Sequence, residues 1–395
     1  MPPLEAAISA EPAPDSDYQR RIAASLQRAY RSTIEGGSSR RLQVGRDRVI
    51  VFSDLHKGGR NDADDFRRCE RAYNAALAYY QALGYWLVEL GDVEELWEEM
   101  PATVLRQYPR TLELTAQFHK AGRYIRIWGN HDDAWSFADK VKHFLHPIFG
   151  DDLRVHEGFL LHMDDGDQSL GAFFLVHGHQ GTLESDRWSF ISRFAVRWIW
   201  RPLQRLFNIT RNTPAHNWAL RERHNVAMYH WVVGKPGLVL VAGHTHRPVF
   251  ASQSRERQLE VRRQRILLRL TEEPANHKLE LELATISAEL EWARAQDRQL
   301  GGREGEMPTE RKCYFNTGCC CFLDGDIVGL EIADGAIRLV RWPDDAEHPI
   351  PQLLASVPLR EIFEAVAVGP SDAQATLPAP PGISPHHSRS IGEAL

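Results

Sequence analysis

VIVFSDLHKGG, residues 49–59, decides how this chain is read: four consecutive apolar residues run straight into a short segment that holds Asp54 and His56. An apolar run of that length, bounded by glycine and polar residues, has the pattern of a strand buried on both faces. In open α/β sheets the ligand sites lie where such strands pass into loops. The same pattern recurs in YWLVELGDVEELW at 85–97, YIRIWGNHDD at 124–133, FFLVHGH at 173–179 and LVLVAGHTHRP at 238–248. Five endings of this kind, carrying Asp, Asn or His each time, are hard to obtain by chance.

Between the apolar runs lie helical patterns, such as Phe66, Cys69, Tyr73, Leu77 and Tyr80 on one stripe. That alternation predicts parallel strands joined by crossover helices. IVGLEIADGAIRLVRW, 327–342, reads as a hairpin turning at Asp334-Gly335. MDDGDQS, 163–169, reads as another turn, because it lacks the spacing and terminal Glu of a calcium loop. The expected class is α/β with a mixed second sheet. The expected organisation is an N-terminal helical extension over 1–47, with a helix in DYQRRIAASLQRAYRSTI and a linker in EGGSSR, then a catalytic domain over 48–365. Two insertions interrupt that domain, a helical cap over 183–233 and a helical hairpin over 252–307. The Pro- and Ser-rich tail, 366–395, has the composition of a disordered segment.

The chain has 395 residues, 43% of them hydrophobic and 25% charged, which is ordinary for a soluble globular protein. A formal net charge of -6 argues against broad electrostatic binding of nucleic acid. No apolar run reaches the length of a transmembrane span, and the acidic N-terminus has neither the basic start nor the apolar core of a signal peptide. Five cysteines without framework spacing point the same way, to a cytoplasmic protein, with a peripheral position at the inner membrane face as an option. Cys319, Cys320 and Cys321 are adjacent. Neighbouring strand positions face opposite sides, so three in a row are expected to be small buried side chains that do not share an ion.

Carboxylate oxygens and neutral imidazoles together form a mixed O/N donor set, which suits Mn, Fe, Zn or Co better than an all-oxygen Mg or Ca cage. On extended backbone, Asp54 and His56 would project to one side and could share an ion, and the same holds for His244 and His246. Asp92 is the natural bridge, and Asn130 offers a neutral oxygen that holds a cation without opposing an anionic substrate. The pattern reads as two metals, with Mn favoured and Fe or Zn as alternatives.

The ordered set Asp-x-His, Gly-Asp, Gly-Asn-His-Asp, His and Gly-His-x-His, spanning about 49–342, resembles the calcineurin-like metallophosphoesterase superfamily. FNTGC at 315–319 matches the strand that follows the last motif. The resemblance implies two mixed β-sheets packed face to face with flanking helices, a four-layer sandwich. It also implies that Asp54, His56, Asp92 and His246 hold one metal, and that Asp92, Asn130, His177 and His244 hold the other. His177 is preferred over His179 because it ends the apolar run directly, which leaves His179 as a substrate contact. Two cations about 4 Å apart would lower the pKa of a bridging water, clamp the phosphate oxygens and aim hydroxide in line at phosphorus. His131 then suits the role of proton donor to the leaving oxygen, with Asp132 orienting its other nitrogen. His119, His143, His156, His216, His224 and His230 lack ligand spacing and read as surface or core residues.

These motifs indicate phosphoester hydrolysis and leave the substrate open. GDVEELW is similar to the GD-x-x-E-x-W stretch of the UDP-2,3-diacylglucosamine pyrophosphohydrolases, which also carry a basic and aromatic helical cap after the HG motif, although they commonly have Arg where this chain has His131. A nucleotide or nucleic-acid phosphodiesterase is the other alternative, although nucleic acid fits the net charge poorly. In the first insertion Arg193, Arg197, Arg201 and Arg205 recur every four residues beside Phe194, Trp198 and Phe207. The first three are candidate substrate contacts, and 187–210 could instead meet a membrane surface or leave its arginines in water over a buried aromatic face. Leu279, Leu283, Ile286 and Leu290 in the second insertion suggest a helix pair that packs on itself or self-associates.

Overall fold

The computed structural model describes residues 16–62, 64–182, 216–272, 276–299, 311–344 and 349–367. Its strands are β1 (Ser39–Gln43), β2 (Val49–Phe52), β3 (Trp86–Leu90), β4 (Tyr124–Ile127), β5 (Val155–His156), β6 (Gly158–Asp165), β7 (Gln168–Val176), β8 (Leu238–Ala242), β9 (Val249–Phe250), β10 (Gln253–Ser254), β11 (Tyr314–Asn316), β12 (Ile327–Ala333), β13 (Ala336–Trp342) and β14 (Gln352–Pro358). They form two seven-stranded sheets, ordered β1-β6-β7-β8-β11-β9-β10 and β14-β13-β12-β2-β3-β4-β5. β2, β3 and β4 are parallel neighbours, as are β7, β8 and β11. Antiparallel hairpins, β6-β7 and β12-β13, make both sheets mixed.

Alternation along β2 shows why it is apolar throughout. Val49 and Val51 join a core shared with Val88, Ile127, Phe173 and Val241 between the sheets. Ile50 and Phe52 point the other way, into a second cluster with Phe66, Tyr73 and Tyr80 of the helix Phe66–Ala82. A strand buried on both faces has no polar side, and its only polar residues stand at its end. The β12-β13 turn is made by Asp334 and Gly335, at φ 51° and 75°, the left-handed pair that a two-residue hairpin requires.

The segment ahead of β2 is built into the body. Ile22 and Leu26 of the helix Ser16–Glu35 are fully buried, and the Tyr18 hydroxyl lies 3.0 Å from His224 Nδ1 on the helix His216–Val233. Where EGGSSR reads as linker, Ser39 begins β1, which pairs in parallel with β6. The helices Arg255–Glu272 and His277–Gln299 bury Leu259, Ile266, Leu279, Ile286 and Leu290 in a cluster of their own. Asn276 starts the second of them, its Oδ1 accepting from Leu279 N at 3.3 Å. No helix among the described residues is long and apolar enough to cross a membrane.

Candidate metal centre

The loops after β2, β3, β4, β7 and β8 meet at one rim, and the backbone there departs from extended geometry. Asp54, His56, Asp92, His244 and His246 all have φ between 51° and 67°. Left-handed backbone at a non-glycine residue costs roughly 1–3 kcal/mol, persists only where surroundings enforce it, and gathers at functional sites. The enforcing contacts are loop to loop: Asp54 N donates to Gly91 O at 3.1 Å, His56 N to Asp92 O at 2.9 Å and Gly243 N to His177 O at 2.8 Å. Asp54 and His56 therefore converge through a strained turn after Phe52, not through the alternation of an extended strand. The same correction applies to His244 and His246, since β8 ends at Ala242.

Two donor groups carry the expected ligands, and a third, His56, Asp92 and His131, overlaps both. In the first, Asp54 Oδ1 and His56 Nε2 each lie 3.2 Å from His246 Nε2. In the second, Asp92, His177 and His244 offer donors within 4.8 Å of one another. Asp92 Oδ2 faces both, 3.1 Å from His177 Nε2 and 3.8 Å from His56 Nε2. Asn130 Oδ1 is buried with no hydrogen-bond partner. An orphaned buried acceptor costs about 1–3 kcal/mol unless something else satisfies it. His177 Nδ1 lies 2.8 Å from the Leu90 carbonyl, so it donates there and turns Nε2 into the site. Carboxylates, imidazoles and one amide oxygen fit a pair of divalent cations.

The motifs that supply this donor set are the ones whose order in the sequence resembles the calcineurin-like metallophosphoesterases.

No family model and no curated protein matches the chain. Similar solved structures include vacuolar protein sorting 29 from Cryptosporidium parvum, 11% identical with a TM-score of 0.31, covering 79% of this chain and 98% of that one. A dimetal phosphatase from Danio rerio, also 11% identical with a TM-score of 0.31, covers 78% and 99%. A predicted phosphoesterase from Streptococcus pneumoniae is 10% identical with a TM-score of 0.25, covering 78% and 97%. At such identities function rests on the residues of the site.

Close approach sets the glycines of this centre. A Cβ at Gly129 would stand 2.2 Å from Asp92 Oδ1, and one at Gly243 would stand 2.5 Å from Asp54 Oδ2. The electrostatics follow from carboxylates and imidazoles crowded together in a buried place. Burial disfavours the imidazolium at His56, but Glu95, Asp92 and Asp54 outweigh it and lift His56 to about 10. His177, buried beside Asp92 and Asp54, rises to about 9 in the same way. His244 moves well down, because burial and the neighbouring His177 and His224 both oppose its charge.

His131 is held from three sides. Glu95 Oε2 lies 2.7 Å from its Nδ1, Trp97 stacks on its ring at 4.1 Å with the planes 20° apart, and its backbone N donates to Asp92 Oδ1 at 2.8 Å. Glu95 also lies 3.2 Å from His56 Nδ1, so one carboxylate serves both imidazoles. Burial alone would raise Glu95, but His131 and His56 hold it well below the usual carboxylate range.

The partner expected for His131 was Asp132, and the structure corrects this. Asp132 turns inward, where its carboxylate accepts from Gly129 N at 2.6 Å and Val93 N at 2.9 Å and lies 3.9 Å from Arg126. It fixes the GNHD and GDV loops against each other. Arg126, fully buried, also pairs with Glu94, whose other oxygen is 3.1 Å from Lys57 Nζ.

His177 stands in the donor group, and His179 does not. His179 lies beside it, its ring 5.1 Å from Trp128 and its Nδ1 buried without a partner. His224 Nε2 is 2.5 Å from Gly178 O, which fixes the loop between the two histidines. Arg193, Arg197, Arg201 and Arg205 lie outside the described residues, as does all of 187–210. The cysteine run divides between two sides. It lies beyond the end of β11, and Cys319 and Cys321 turn to the same side, toward His246. Only Cys320 faces the opposite cluster, so alternation separates the middle residue and unites the outer two.

Proposed function

We propose that the chain is a dimetal phosphoesterase, with Asp54, His56, Asp92 and His246 holding one divalent cation and Asp92, Asn130, His177 and His244 the other. The observation that carries this reading is Asp92 Oδ2 facing both donor groups while Asn130 Oδ1 stays buried without a hydrogen-bond partner. When bound, two such cations neutralise phosphate oxygens and lower the pKa of water. Mn suits the mixed oxygen and nitrogen donors, with Fe or Zn as alternatives.

The chain's own groups do the rest. His131 sits at the edge of the site next to His56, their ring centroids 4.7 Å apart, where its free nitrogen can protonate a departing oxygen. Glu95 faces the opposite nitrogen at 2.7 Å and so fixes which edge of the ring turns to the site. Trp97 keeps the ring from rotating and anchors the loop by donating Nε1 to Asn130 O at 2.6 Å. His179 is proposed as a substrate contact beside the second donor group, and Arg193, Arg197 and Arg201 as contacts from the cap. The readings of 187–210 as a membrane contact and 252–307 as a self-association arm rest on the sequence pattern.

The test is hydrolysis of a p-nitrophenyl phosphodiester by the Mn-loaded protein, followed by a panel of monoesters, cyclic nucleotides, single-stranded DNA and UDP-sugar lipids. Turnover that needs added metal and disappears with a chelator supports the proposal. Absence of turnover across the whole panel, with metal bound, contradicts it.

A further inference from the structure

His246 has two faces. Its Nε2 points to Asp54 and His56, both at 3.2 Å, and its Nδ1 points away from them, 3.8 Å from Cys321 Sγ. Cys319 completes the second face: one donor atom each from His246, Cys319 and Cys321 lie within 4.8 Å of one another.

We propose that Cys319 Sγ, Cys321 Sγ and His246 Nδ1 form a separate site for a thiophilic cation of the zinc or copper(I) class, with His246 shared between it and the dinuclear centre. Two thiolates and an imidazole form a softer donor set than the carboxylates, imidazoles and amide on the other side, so the two places select different ions. The spacing fits: with metal–sulfur bonds of about 2.3 Å and metal–nitrogen bonds of about 2.0 Å, a tetrahedral edge between the two ligands is roughly 3.6 Å. The backbone is fixed before any ion arrives. Cys320 N donates to Asp54 O at 3.1 Å, Val328 N to Cys319 O at 3.2 Å, and the Cys320 side chain is anchored in the opposite cluster. Cys319 is buried and Cys321 is half-buried, which leaves a fourth position accessible from the Cys321 side. Loading releases the two thiol protons and the remaining imidazole proton, and no oxidation is involved. The inference rests on the dinuclear reading only in giving His246 Nε2 to that centre.

The experiment uses the full chain, reduced and first saturated with Mn, then titrated with cobalt(II) as the spectroscopic probe. One further equivalent should bind with a near-ultraviolet thiolate-to-cobalt charge-transfer band, and zinc should displace it. Cys319→Ser/Cys321→Ser should lose the band and that equivalent while keeping its Mn. In the wild-type chain, zinc should also protect about two thiols from a disulfide reagent, a readout that does not require the variant to fold. No thiolate band together with unprotected thiols overturns the proposal. Asp92→Asn separates the two readings: a band that persists after Mn binding is lost supports the thiolate site, whatever becomes of the dinuclear one.

Discussion

Glu95→Gln keeps the shape of the side chain that faces His131 and removes its charge. Glu95 Oε2 is 2.7 Å from His131 Nδ1 and 3.2 Å from His56 Nδ1, in a position that is nearly closed to solvent. A hydrogen bond from an ionised group contributes about 1.5–3 kcal/mol, which corresponds to a factor of roughly 10–150 in rate if it is felt in the transition state. The expected loss in kcat is therefore about 10–100-fold, the usual range for a residue that orients an active-site imidazole. The leaving group supplies the discriminating assay. p-Nitrophenolate departs without help from an acid, so the loss should shrink to a few-fold with p-nitrophenyl esters and reach its full size with alkyl esters. The paired measurement is kcat for both ester types in wild type, Glu95→Gln and His131→Ala, with bound Mn counted in each. Equal losses on both esters would mean that Glu95 acts through His56 or the fold, and unchanged turnover on alkyl esters would refute the proton-donor reasoning altogether.

Three further outcomes follow from the same geometry. His56 and His177, lifted to about 10 and about 9, are protonated in the metal-free protein at neutral pH; metal must displace those protons, so calorimetry in buffers of different ionisation enthalpy should show about two released per centre and an apparent affinity that climbs with pH up to that range. Gly129→Ala places a Cβ 2.2 Å from Asp92 Oδ1 and should reduce metal occupancy in a chain that still folds, measured by metal analysis alongside circular dichroism. Arg126→Met removes the guanidinium shared by the buried Glu94 and Asp132 carboxylates, leaving Glu94 to Lys57 and Asp132 to backbone amides, and should destabilise by about 3–5 kcal/mol in denaturant titration, well above the cost of an exposed pair.

Much of this architecture is legible in the sequence because β2, β3 and β8 are buried on both faces, so each apolar run ends abruptly in its functional residue. What alternation misses is the strained backbone just past those ends, where left-handed turns at Asp54, His56, His244 and His246 replace extended projection. The partner of His131 is missed for a related reason. Asp132 is adjacent in sequence, but the GNHD turn sends it inward to the Gly129 and Val93 amides, and Glu95 arrives from the loop after β3. The signal for Glu95 and Trp97 was present in GDVEELW, where both stand at fixed spacing after Asp92. In the cysteine run the adjacency argument separates Cys320 from its neighbours, and what it does not give is the pairing of Cys319 and Cys321 beside His246.

The central claim is that Asp92 joins two cation sites, and counting metal tests it most directly. Purified wild type and Asp92→Asn, each equilibrated with excess Mn and freed of unbound ion, are compared by elemental analysis per chain. About two Mn per chain in the wild type and one or fewer in Asp92→Asn is the predicted result. Two Mn retained by the variant, or none bound by the wild type, would contradict it.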